Sequence, residues 1–224
     1  AREMQIKVLG ELDFASCFTP SPITAITGTN GKTTVATLLD HVFRKLGHKT
    51  SIAGNTGLSL SQLMAEQVNL RARIFLEVSS FQSRNLSCLN PESVIWTNLA
   101  EDHLNYHGTM EDYFRSKCSL LQRCQKEIFV GQSVLRWAKR FSVNLPDQVS
   151  IVSPIPGPIP SLCEDHFLNT HPQRENFALA SAFAISLGIS ESEFISASND
   201  YQPEPHRLRK VRQLENVSFW NDSK

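Results

Sequence analysis

The stretch ITAITGTNGKTT, residues 23–34, decides the fold that this sequence predicts. Its first four residues are apolar or β-branched, which is typical of a buried strand. Two glycines and an asparagine over residues 27–31 favour a tight turn instead of more strand. Apolar residues at helical spacing over residues 33–46 then predict a helix, which Gly47 ends. This order of strand, glycine turn, Lys-Thr pair and helix is typical of a phosphate-binding loop.

The chemistry of such a loop explains its composition. Glycines let backbone N–H groups approach phosphate oxygens, and the helix N-terminus adds partial positive charge. Lys32 supplies a full charge to the β- and γ-phosphates, and the Thr33 hydroxyl can bind Mg²⁺. The predicted nucleotide-binding residues are Gly28, Thr29, Asn30, Gly31, Lys32, Thr33 and Thr34.

The spacing departs from the general pattern G-x-x-x-x-G-K-[ST], which would place a glycine where this chain has Ile26. The alternative is a strand-to-helix turn with a chance Gly-Lys pair. The strand before the turn, the uninterrupted helix after it and the Lys-Thr pair favour a nucleoside triphosphate site.

Composition narrows the class of protein. The 224 residues are 41% hydrophobic and 20% charged, which is typical of a globular protein with an ample core. Its 22 basic and 22 acidic residues balance, which argues against broad binding to nucleic acid or anionic membranes. The most apolar stretch, residues 177–189, is too short to span a bilayer, and no signal peptide is evident. Five scattered cysteines without a C-x-x-C pair fit a reduced, cytoplasmic protein without a zinc site.

Predicted strands and helices alternate along the chain. Further strands are expected at residues 50–53, 73–78, 94–97, 127–130 and 149–152, with helices at 58–66, 112–122 and 133–141. This alternation predicts an α/β fold with a doubly wound, mostly parallel sheet. A proline-rich extended connector over residues 153–162 leads to two more helices, at 175–187 and 191–198.

The two ends of the chain are expected to belong to other domains. Residues 1–22 contain too little for a domain of their own. Pro203 and Pro205 indicate a domain boundary, after which two strands at 209–214 and 217–220 are joined at residues 215–216. We therefore expect the chain to be a piece of a longer protein.

Polar residues follow the predicted strands, where ligands of such sheets bind. Glu77 lies in an apolar run, and a buried carboxylate is costly unless it is paired or bound to a metal. Its place near the phosphate loop favours a magnesium ligand, and an ion pair with Arg73 is the alternative. His103 is equally compatible with a functional role and with a packed or surface residue.

Three further residues are predicted to lie at the surface without a role in the site. On spacing alone, Lys117 is expected to be a solvated lysine on its helix, and His107 and His166 are expected at the surface. Together, the residues specify phosphoryl transfer from a magnesium nucleotide and leave the acceptor open.

The stretch GTNGKTT, residues 28–34, resembles the short phosphate loop of the ATP-dependent Mur ligases of peptidoglycan synthesis, with folylpolyglutamate synthetases as their nearest relatives. Other stretches look most like the members that join D-glutamate to UDP-N-acetylmuramoyl-L-alanine. They are GNTG at residues 54–57, EVSSFQ at 77–82, PHR at 205–207 and WNDSK at 220–224. Ser-Ser-Phe-Gln is the most discriminating, since members that add diaminopimelate or lysine usually have Ser-Ser-His. The stretch DHLNYHGTM, residues 102–110, is shared with those members.

The resemblance implies a three-domain enzyme that acts as a monomer. Residues 1–18 would end the N-terminal UDP-binding domain, 19–204 would form the central ATP-binding domain, and 205–224 would begin the C-terminal domain. The implied reaction is phosphorylation of the UDP-N-acetylmuramoyl-L-alanine carboxylate by ATP, followed by attack of the D-glutamate amine on the acyl phosphate.

The resemblance also implies roles for single residues. Lys32, Glu77, His103 and Lys117 would be catalytic, and Thr33, Glu77, His103 and Lys117 would hold two magnesium ions, with Lys117 carried as a carbamate. Asn176, Arg207 and Asp222 would face the nucleotide, and Asn55, Thr56, Ser79, Gln82 and Lys224 would face the substrate. One departure concerns the adenine side, where many relatives have His-Asn-x-x-Asn and this chain has Pro172-Gln173-Arg174-Glu175-Asn176.

Three alternatives stay open. The protein could be a related ligase that adds a different amino acid, a phosphate-loop kinase or ATPase without ligation, or a nucleotide-binding module that is not an enzyme. Residues that select the amino acid are expected in the C-terminal domain beyond this sequence.

Overall fold

The computed structural model describes residues 8–66, 71–204, 209–215 and 217–221. The strands are β1 (Ile23–Thr27), β2 (Thr50–Gly54), β3 (Arg73–Glu77), β4 (Ser93–Trp96), β5 (Ile128–Gly131), β6 (Val149–Val152), β7 (Arg209–Leu214) and β8 (Val217–Asn221). The helices are α1 (Glu11–Ser16), α2 (Lys32–Lys45), α3 (Leu60–Ala65), α4 (Ser80–Ser83), α5 (Leu104–His107), α6 (Met110–Leu121), α7 (Gln132–Arg140), α8 (Gln173–Ser186) and α9 (Glu191–Ser198).

The first six strands form one sheet in the order β2-β3-β1-β4-β5-β6, and every neighbouring pair is parallel. The register places Ile26 of β1 beside Glu77 of β3, and Thr27 beside Trp96 of β4. The prediction of a doubly wound parallel sheet is confirmed. The carboxyl ends of β3, β1 and β4 therefore meet at one edge of the sheet.

Helices cover both faces of this sheet. Successive residues of a strand point to opposite faces, so Ile74 and Leu76 of β3 join one hydrophobic core while Phe75 joins the other. The first core contains side chains of α1, α3, α6 and α7, and the second contains side chains of α2, α8 and α9. Strands buried on both faces explain why the predicted strands are continuous apolar runs.

Several short helices were not predicted from the sequence. Helices α1, α4 and α5 have six, four and four residues, too few for a helical period to be recognised. A short 3₁₀ helix at Phe167–Asn169 was likewise not predicted. The proline-rich segment 153–162 forms neither helix nor strand, as predicted, and buries Ile159 beneath the surface.

The segment after residue 208 forms the predicted antiparallel pair, β7 with β8. Its side chains Val211, Val217, Phe219 and Trp220 are exposed. Within the described residues, every helix is too short or too polar to cross a lipid bilayer.

Two histidines predicted at the surface are buried, so both predictions were wrong. His166 accepts a hydrogen bond at Nδ1 from the backbone N–H of Leu168 at 3.2 Å, which caps the 3₁₀ helix. Burial lowers the pKa of His166, and a hydrogen bond to the backbone of Asn199 acts in the opposite direction. His107 ends α5 and packs between aromatic rings of α4 and α6. Single histidines carry no periodic signal, so their burial depends on tertiary packing.

A buried carboxylate anchors helix α1 to the segment between α4 and β4. Asp13 accepts hydrogen bonds from the backbone N–H groups of Ser87, Cys88 and Leu89, and from the Ser87 hydroxyl, all at 2.8–2.9 Å. Burial alone would raise the pKa of Asp13, but these hydrogen bonds lower it below its usual value. Helix α1 lies in the segment predicted to end the preceding domain, a boundary that stays a prediction, and it contributes Leu12 and Ala15 to the core.

Asp13→Asn should lower the free energy of unfolding at pH 7 by about 2–3 kcal/mol, because an amide cannot accept from four donors. A lowered pKa in the folded state means that the stabilisation is present above the ordinary aspartate pKa of 3.8 and is lost as the pH falls through the folded value. The difference between the variant and the wild type should therefore shrink in acid. Urea unfolding at several pH values measures it. Glu11→Gln, on the exposed side of the same helix, is the control and should change stability by about 0.5 kcal/mol or less.

Candidate nucleotide and magnesium site

A cavity of about 370 Å³ opens at the carboxyl ends of β1, β3 and β4. Its position is the one expected for ligands of a doubly wound sheet. Most of the predicted site residues lie around it. The lining residues are Gly28, Thr29, Asn30, Gly31, Lys32, Thr33, Asn55, Thr56, Glu77, Ser79, Ser80, Phe81, Asp102, His103, Tyr113 and Lys117.

The phosphate loop has two positions that only glycine fits. Gly28 has φ +148°, and a Cβ there would lie 1.9 Å from the Thr97 hydroxyl oxygen. Gly31 has φ +84°, and a Cβ there would lie 2.2 Å from Oδ1 of Asn176. The loop is also pinned to the end of β4, because Asn30 N–H donates to Asn98 Oδ1 at 3.0 Å. The loop is thus held in shape from both sides.

Lys32 begins α2 directly after the loop. Its Nζ donates to the carbonyl oxygens of Gly28 at 3.1 Å and Thr29 at 3.0 Å. The side chain therefore folds back over the loop, which places a full positive charge where the loop would hold phosphate oxygens.

Glu77 and Thr33 meet at the centre of the site. Thr33 Oγ1 donates to Glu77 Oε2 at 2.9 Å, and Asn55 Nδ2 donates to Glu77 Oε1 at 3.1 Å. Thr56 Oγ1 lies 3.4 Å from Thr33 Oγ1. Glu77 is 2% exposed, as expected for its position at the end of a buried strand.

The alternative interpretation of Glu77 as the ion-pair partner of Arg73 is wrong. Arg73 instead lies 2.6 Å from Glu92 Oε2, at the opposite end of β3. A strand of five residues separates its two ends, so these side chains face different regions.

Lys117 is 1% exposed, so the prediction of a solvated lysine from spacing alone was wrong. Its Nζ donates to Thr27 Oγ1 at 3.2 Å and to the Gly28 carbonyl at 3.1 Å, and it lies 5.0 Å from the centre of the Tyr113 ring. Among the described residues, no carboxylate lies within ion-pair distance of this ammonium group.

These surroundings change the chemistry of the lysine. Burial is the main cause that lowers the pKa of Lys117 from 10.5 to about 7, and the charge of Lys32 lowers it further. Asp102 and Glu77 act in the opposite direction. A large part of Lys117 is therefore a neutral, nucleophilic amine near pH 7.

His103 lies at the rim of the cavity. Its φ of +52° is in the left-handed region, which is uncommon for a residue other than glycine and is held here by the turn into α5. Its backbone N–H donates to Asp102 Oδ1 at 2.8 Å, and its ring lies 5.0 Å from the Phe81 ring. The strained turn directs the imidazole toward the residues of the cavity.

The start of α4 closes another side of the cavity. Ser79 caps this helix, and its N–H and hydroxyl both donate to Gln82 Oε1 at 2.9 Å. The next residue, Ser80, lies 2.9 Å from His107 Nε2. Ser79 and Ser80 line the cavity, whereas Gln82 faces a neighbouring depression.

Other predicted site residues lie outside the lining. Thr34 is buried in the first turn of α2. Asn176 is buried against Gly31, and its Nδ2 donates to Gln173 Oε1 at 2.8 Å. Gln173, at the departure from the His-Asn-x-x-Asn pattern, thus positions the asparagine expected to contact adenine. Arg207, Asp222 and Lys224 lie outside the described residues.

The sequence interpretation gave no role to four residues that line the cavity, Ser80, Phe81, Asp102 and Tyr113, nor to His107, which contacts Ser80. Tyr113 lines the cavity, and its hydroxyl lies 3.2 Å from Thr29 Oγ1 in a buried contact. Burial raises the pKa of Tyr113, partly offset by the Thr29 hydrogen bond. Its spacing of four residues from Lys117 on α6 is a usable signal, because such residues share a helix face. Ser80 and His107, by contrast, carry no such signal.

The donor set fits a magnesium ion better than a transition metal. Glu77 and Thr33 supply carboxylate and hydroxyl oxygens, the hard ligands that Mg²⁺ prefers. Within the described ranges, no three His, Cys, Asp or Glu side chains lie together as a metal site. This set suits Mg²⁺, which keeps waters and substrate phosphates among its ligands.

The family model for the Mur ligase middle domain matches residues 26–154. Curated relatives named UDP-N-acetylmuramoylalanine--D-glutamate ligase match along the chain. The one from Desulfovibrio desulfuricans is 33% identical over 99% of this chain and 50% of its own length. The one from Prochlorococcus marinus is 32% identical over 100% of this chain and 52% of its own length. The chain thus spans about half the length of these relatives.

Solved structures share the fold. MurF from Acinetobacter baumannii matches with a TM-score of 0.67 and 17% identity, covering 95% of this chain and 53% of that chain. E. coli FolC in complex with DHPP and ADP matches with a TM-score of 0.64 and 15% identity, covering 98% of this chain and 67% of that chain. From the matched family model and these relatives, we conclude that the chain belongs to the Mur ligase family and carries its middle domain.

Proposed function

We propose that the full-length protein is an ATP-dependent amide-bond ligase that joins D-glutamate to UDP-N-acetylmuramoyl-L-alanine in peptidoglycan precursor synthesis. The observation that carries the proposal is the convergence of Lys32, the Thr33–Glu77 pair and buried Lys117 on one cavity. The choice of D-glutamate rests on the names of the relatives.

Lys32 and the loop amides would bind the β- and γ-phosphates of ATP. Thr33 and Glu77 would hold magnesium, because their oxygens already face each other at 2.9 Å at the loop. A bound Mg²⁺ neutralises phosphate charge and polarises the transferred phosphoryl group. His103 would complete the metal-binding set from the rim.

We further propose that Lys117 is modified to a carbamate. The neutral amine attacks CO₂, an N–C bond forms and a proton is released, so that a cation becomes an anion with two oxygens. Burial favours the neutral amine at pH 7, which supports this modification. The carbamate would then offer hard oxygen ligands to a second magnesium beside the γ-phosphate.

The proposed reaction has two steps. The substrate carboxylate attacks the γ-phosphorus of ATP, the bond to the bridging oxygen breaks and ADP leaves. The D-glutamate amine then attacks the acyl phosphate, a tetrahedral adduct forms, and phosphate leaves as the amide forms and the amine loses its proton. Lys32 stabilises the charge that develops on the phosphates, and the cavity walls hold the reactants together.

The remaining predicted residues are assigned to the two substrates. Asn55, Thr56, Ser79 and Gln82 would lie along the muramoyl substrate, and Asn176 would contact adenine. Arg207, Asp222 and Lys224 would act at the junction with the C-terminal domain. This assignment follows the proposed division into residues 1–18, 19–204 and 205–224, as parts of three domains. The five cysteines, all in the described residues, are thiols and not disulfides, which supports a cytoplasmic setting.

The decisive experiment measures phosphate release and amide formation by the full-length protein. ATP, Mg²⁺ and UDP-N-acetylmuramoyl-L-alanine are combined with D-glutamate, L-glutamate, L-lysine or meso-diaminopimelate in turn. We expect phosphate release only when both the nucleotide substrate and D-glutamate are present, with one amide formed per phosphate.

Other outcomes select the alternatives. Amide formation with a different amino acid would make the protein another ligase of the family. Phosphate release that no amino acid stimulates would instead indicate an ATPase or kinase, and nucleotide binding without turnover would indicate a binding module.

A further inference from the structure

Ser80 and His107 form a buried pair at the wall of the cavity. Ser80 is 2% exposed and His107 is 5% exposed, and Nε2 of the imidazole lies 2.9 Å from the serine hydroxyl oxygen. The imidazole ring stacks on Phe81 and packs against Tyr113, at ring-centre distances of 5.6 Å and 5.0 Å. The hydroxyl is thus held by a ring that is itself clamped between aromatic side chains.

The other ring nitrogen is unusual. Nδ1 of His107 is buried, and no hydrogen-bond partner for it is found among the described residues. A buried polar atom without a partner is costly and calls for a reason. Burial also disfavours a charged imidazole, so only one of the two nitrogens carries a hydrogen.

Two arrangements of hydrogens are compatible with the contact. If Ser80 donates to Nε2, the hydrogen lies on Nδ1, and an N–H group is left buried without an acceptor. If Nε2 carries the hydrogen and donates to Ser80, only a lone pair is left at Nδ1. Buried orphan N–H groups are rarer in proteins than acceptors lacking a partner, so the second arrangement is favoured.

In the second arrangement, Ser80 can donate a hydrogen bond. Its oxygen accepts from His107, so its own O–H is left to donate elsewhere, and Ser80 lines the cavity that Lys32, Glu77 and Lys117 also line. The groups for which that cavity is built are negatively charged.

We propose that Ser80 donates a hydrogen bond to an anionic oxygen of the reacting groups, and that His107 acts through Ser80 as a positioning residue. This inference rests on the proposed ligase function, which names those groups as the phosphoryl oxygens of ATP and the carboxylate of the acceptor. Both sources offer the same oxygen chemistry, and a donor fixed in advance stabilises charge without reorganisation.

The test compares four single variants of the full-length protein and the double variant Ser80→Ala/His107→Phe. Ser80→Ala removes the hydroxyl, Ser80→Thr keeps it, and His107→Phe keeps an aromatic ring while removing both nitrogens. Ser83→Ala is the matched control, because Ser83 is buried in the same helix and its hydroxyl donates to the Ser80 carbonyl at 3.2 Å, away from the cavity. Turnover comes from phosphate release with D-glutamate. Calorimetry gives the Kd for a magnesium complex of a non-hydrolysable ATP analogue and for UDP-N-acetylmuramoyl-L-alanine separately, and thermal unfolding reports folding.

We expect Ser80→Ala to lower kcat by roughly 10²-fold, at the lower end of the range for loss of one preorganised donor. Ser80→Thr should recover much of that loss, and Ser83→Ala should match the wild type. Adding His107→Phe to Ser80→Ala should lower kcat no further, because His107 acts through the hydroxyl already removed. A weaker Kd for the ATP analogue would assign the bond to a phosphoryl oxygen, and a weaker Kd for the acceptor would assign it to the carboxylate.

The inference is overturned if Ser80→Ala keeps kcat and both Kd values within twofold of the wild type. It is also overturned if His107→Phe lowers kcat in the absence of the Ser80 hydroxyl as strongly as in its presence. Should Ser80→Ala fail to fold, the comparison of Ser80→Thr with His107→Phe decides, because only the second removes the bond that holds the hydroxyl. A wild-type protein that does not ligate would overturn the proposed function itself, so the two failures are distinct.

Discussion

Lys32→Ala should reduce the ligation rate of the full-length protein by at least ~10³-fold, comparable to the loss of a major electrostatic stabiliser. The side chain is held over the loop by the carbonyl groups of Gly28 and Thr29, so its charge is already in place before nucleotide binds. Charge that develops on the β- and γ-phosphates during transfer would lose its compensating cation. Steady-state phosphate release with saturating substrates measures the effect.

The same helix offers a matched control. Lys45 lies in the last turn of α2 and pairs with Asp200 at 2.6 Å on the protein surface. Lys45→Ala removes an equal charge from α2 and should leave turnover close to that of the wild type. Near-normal turnover in Lys32→Ala would mean that the loop does not bind the phosphates as proposed.

Lys117→Ala should be nearly inactive, with turnover lowered by roughly 10²-fold or more, because the proposed magnesium ligand beside the γ-phosphate would be lost. An ammonium group would repel the metal, so the lysine serves it only as a carbamate. Acetate or formate should restore part of the activity by filling the vacated oxygen positions. The same anions should not restore Lys32→Ala, which lacks a cation and not an anion.

The modification itself can be observed. Wild-type protein equilibrated with ¹³C-labelled CO₂ should show a carbamate carbon signal that Lys117→Ala lacks. Because the pKa of Lys117 is about 7, the neutral amine fraction grows as the pH rises from 6 to 8, and the signal at constant dissolved CO₂ should grow with it. Normal turnover of Lys117→Ala without added carboxylate would contradict the proposal. The lysine would then be only a buried packing residue.

Ser80 and Lys117 line the same cavity. Variants of these two residues should differ in whether a small anion restores their activity. A small anion could replace the carbamate proposed for Lys117, whereas an anion cannot replace the Ser80 hydroxyl as a hydrogen-bond donor. Rescue of Lys117→Ala alone by acetate would therefore separate the metal-binding role from the hydrogen-bonding role.

Local sequence patterns were sufficient to predict most of the strands and helices of the central sheet. The run from Ile23 to Thr34 predicted β1, the glycine turn and α2, because strand, turn and helix each have a short-range signature. The alternation of apolar strands with helices predicted the parallel sheet, and with it the edge where Glu77 and His103 lie. The resemblance added roles for residues such as Lys117 that spacing alone would have left at the surface.

Only the tertiary structure decided which distant residues meet. Lys117 hydrogen-bonds to Thr27, 90 positions earlier, and is desolvated because α6 packs on the sheet beside β1. Asp13 reaches the backbone of residues 87–89, and His107 reaches Ser80, across separations that no helical or strand period spans. Periodicity reports which face of an element is buried, whereas strand order decides what that face touches. The pKa of Lys117 and the direction of the Ser80 hydroxyl depend on those contacts, so the sequence determined the elements of the site and the packing determined its chemistry.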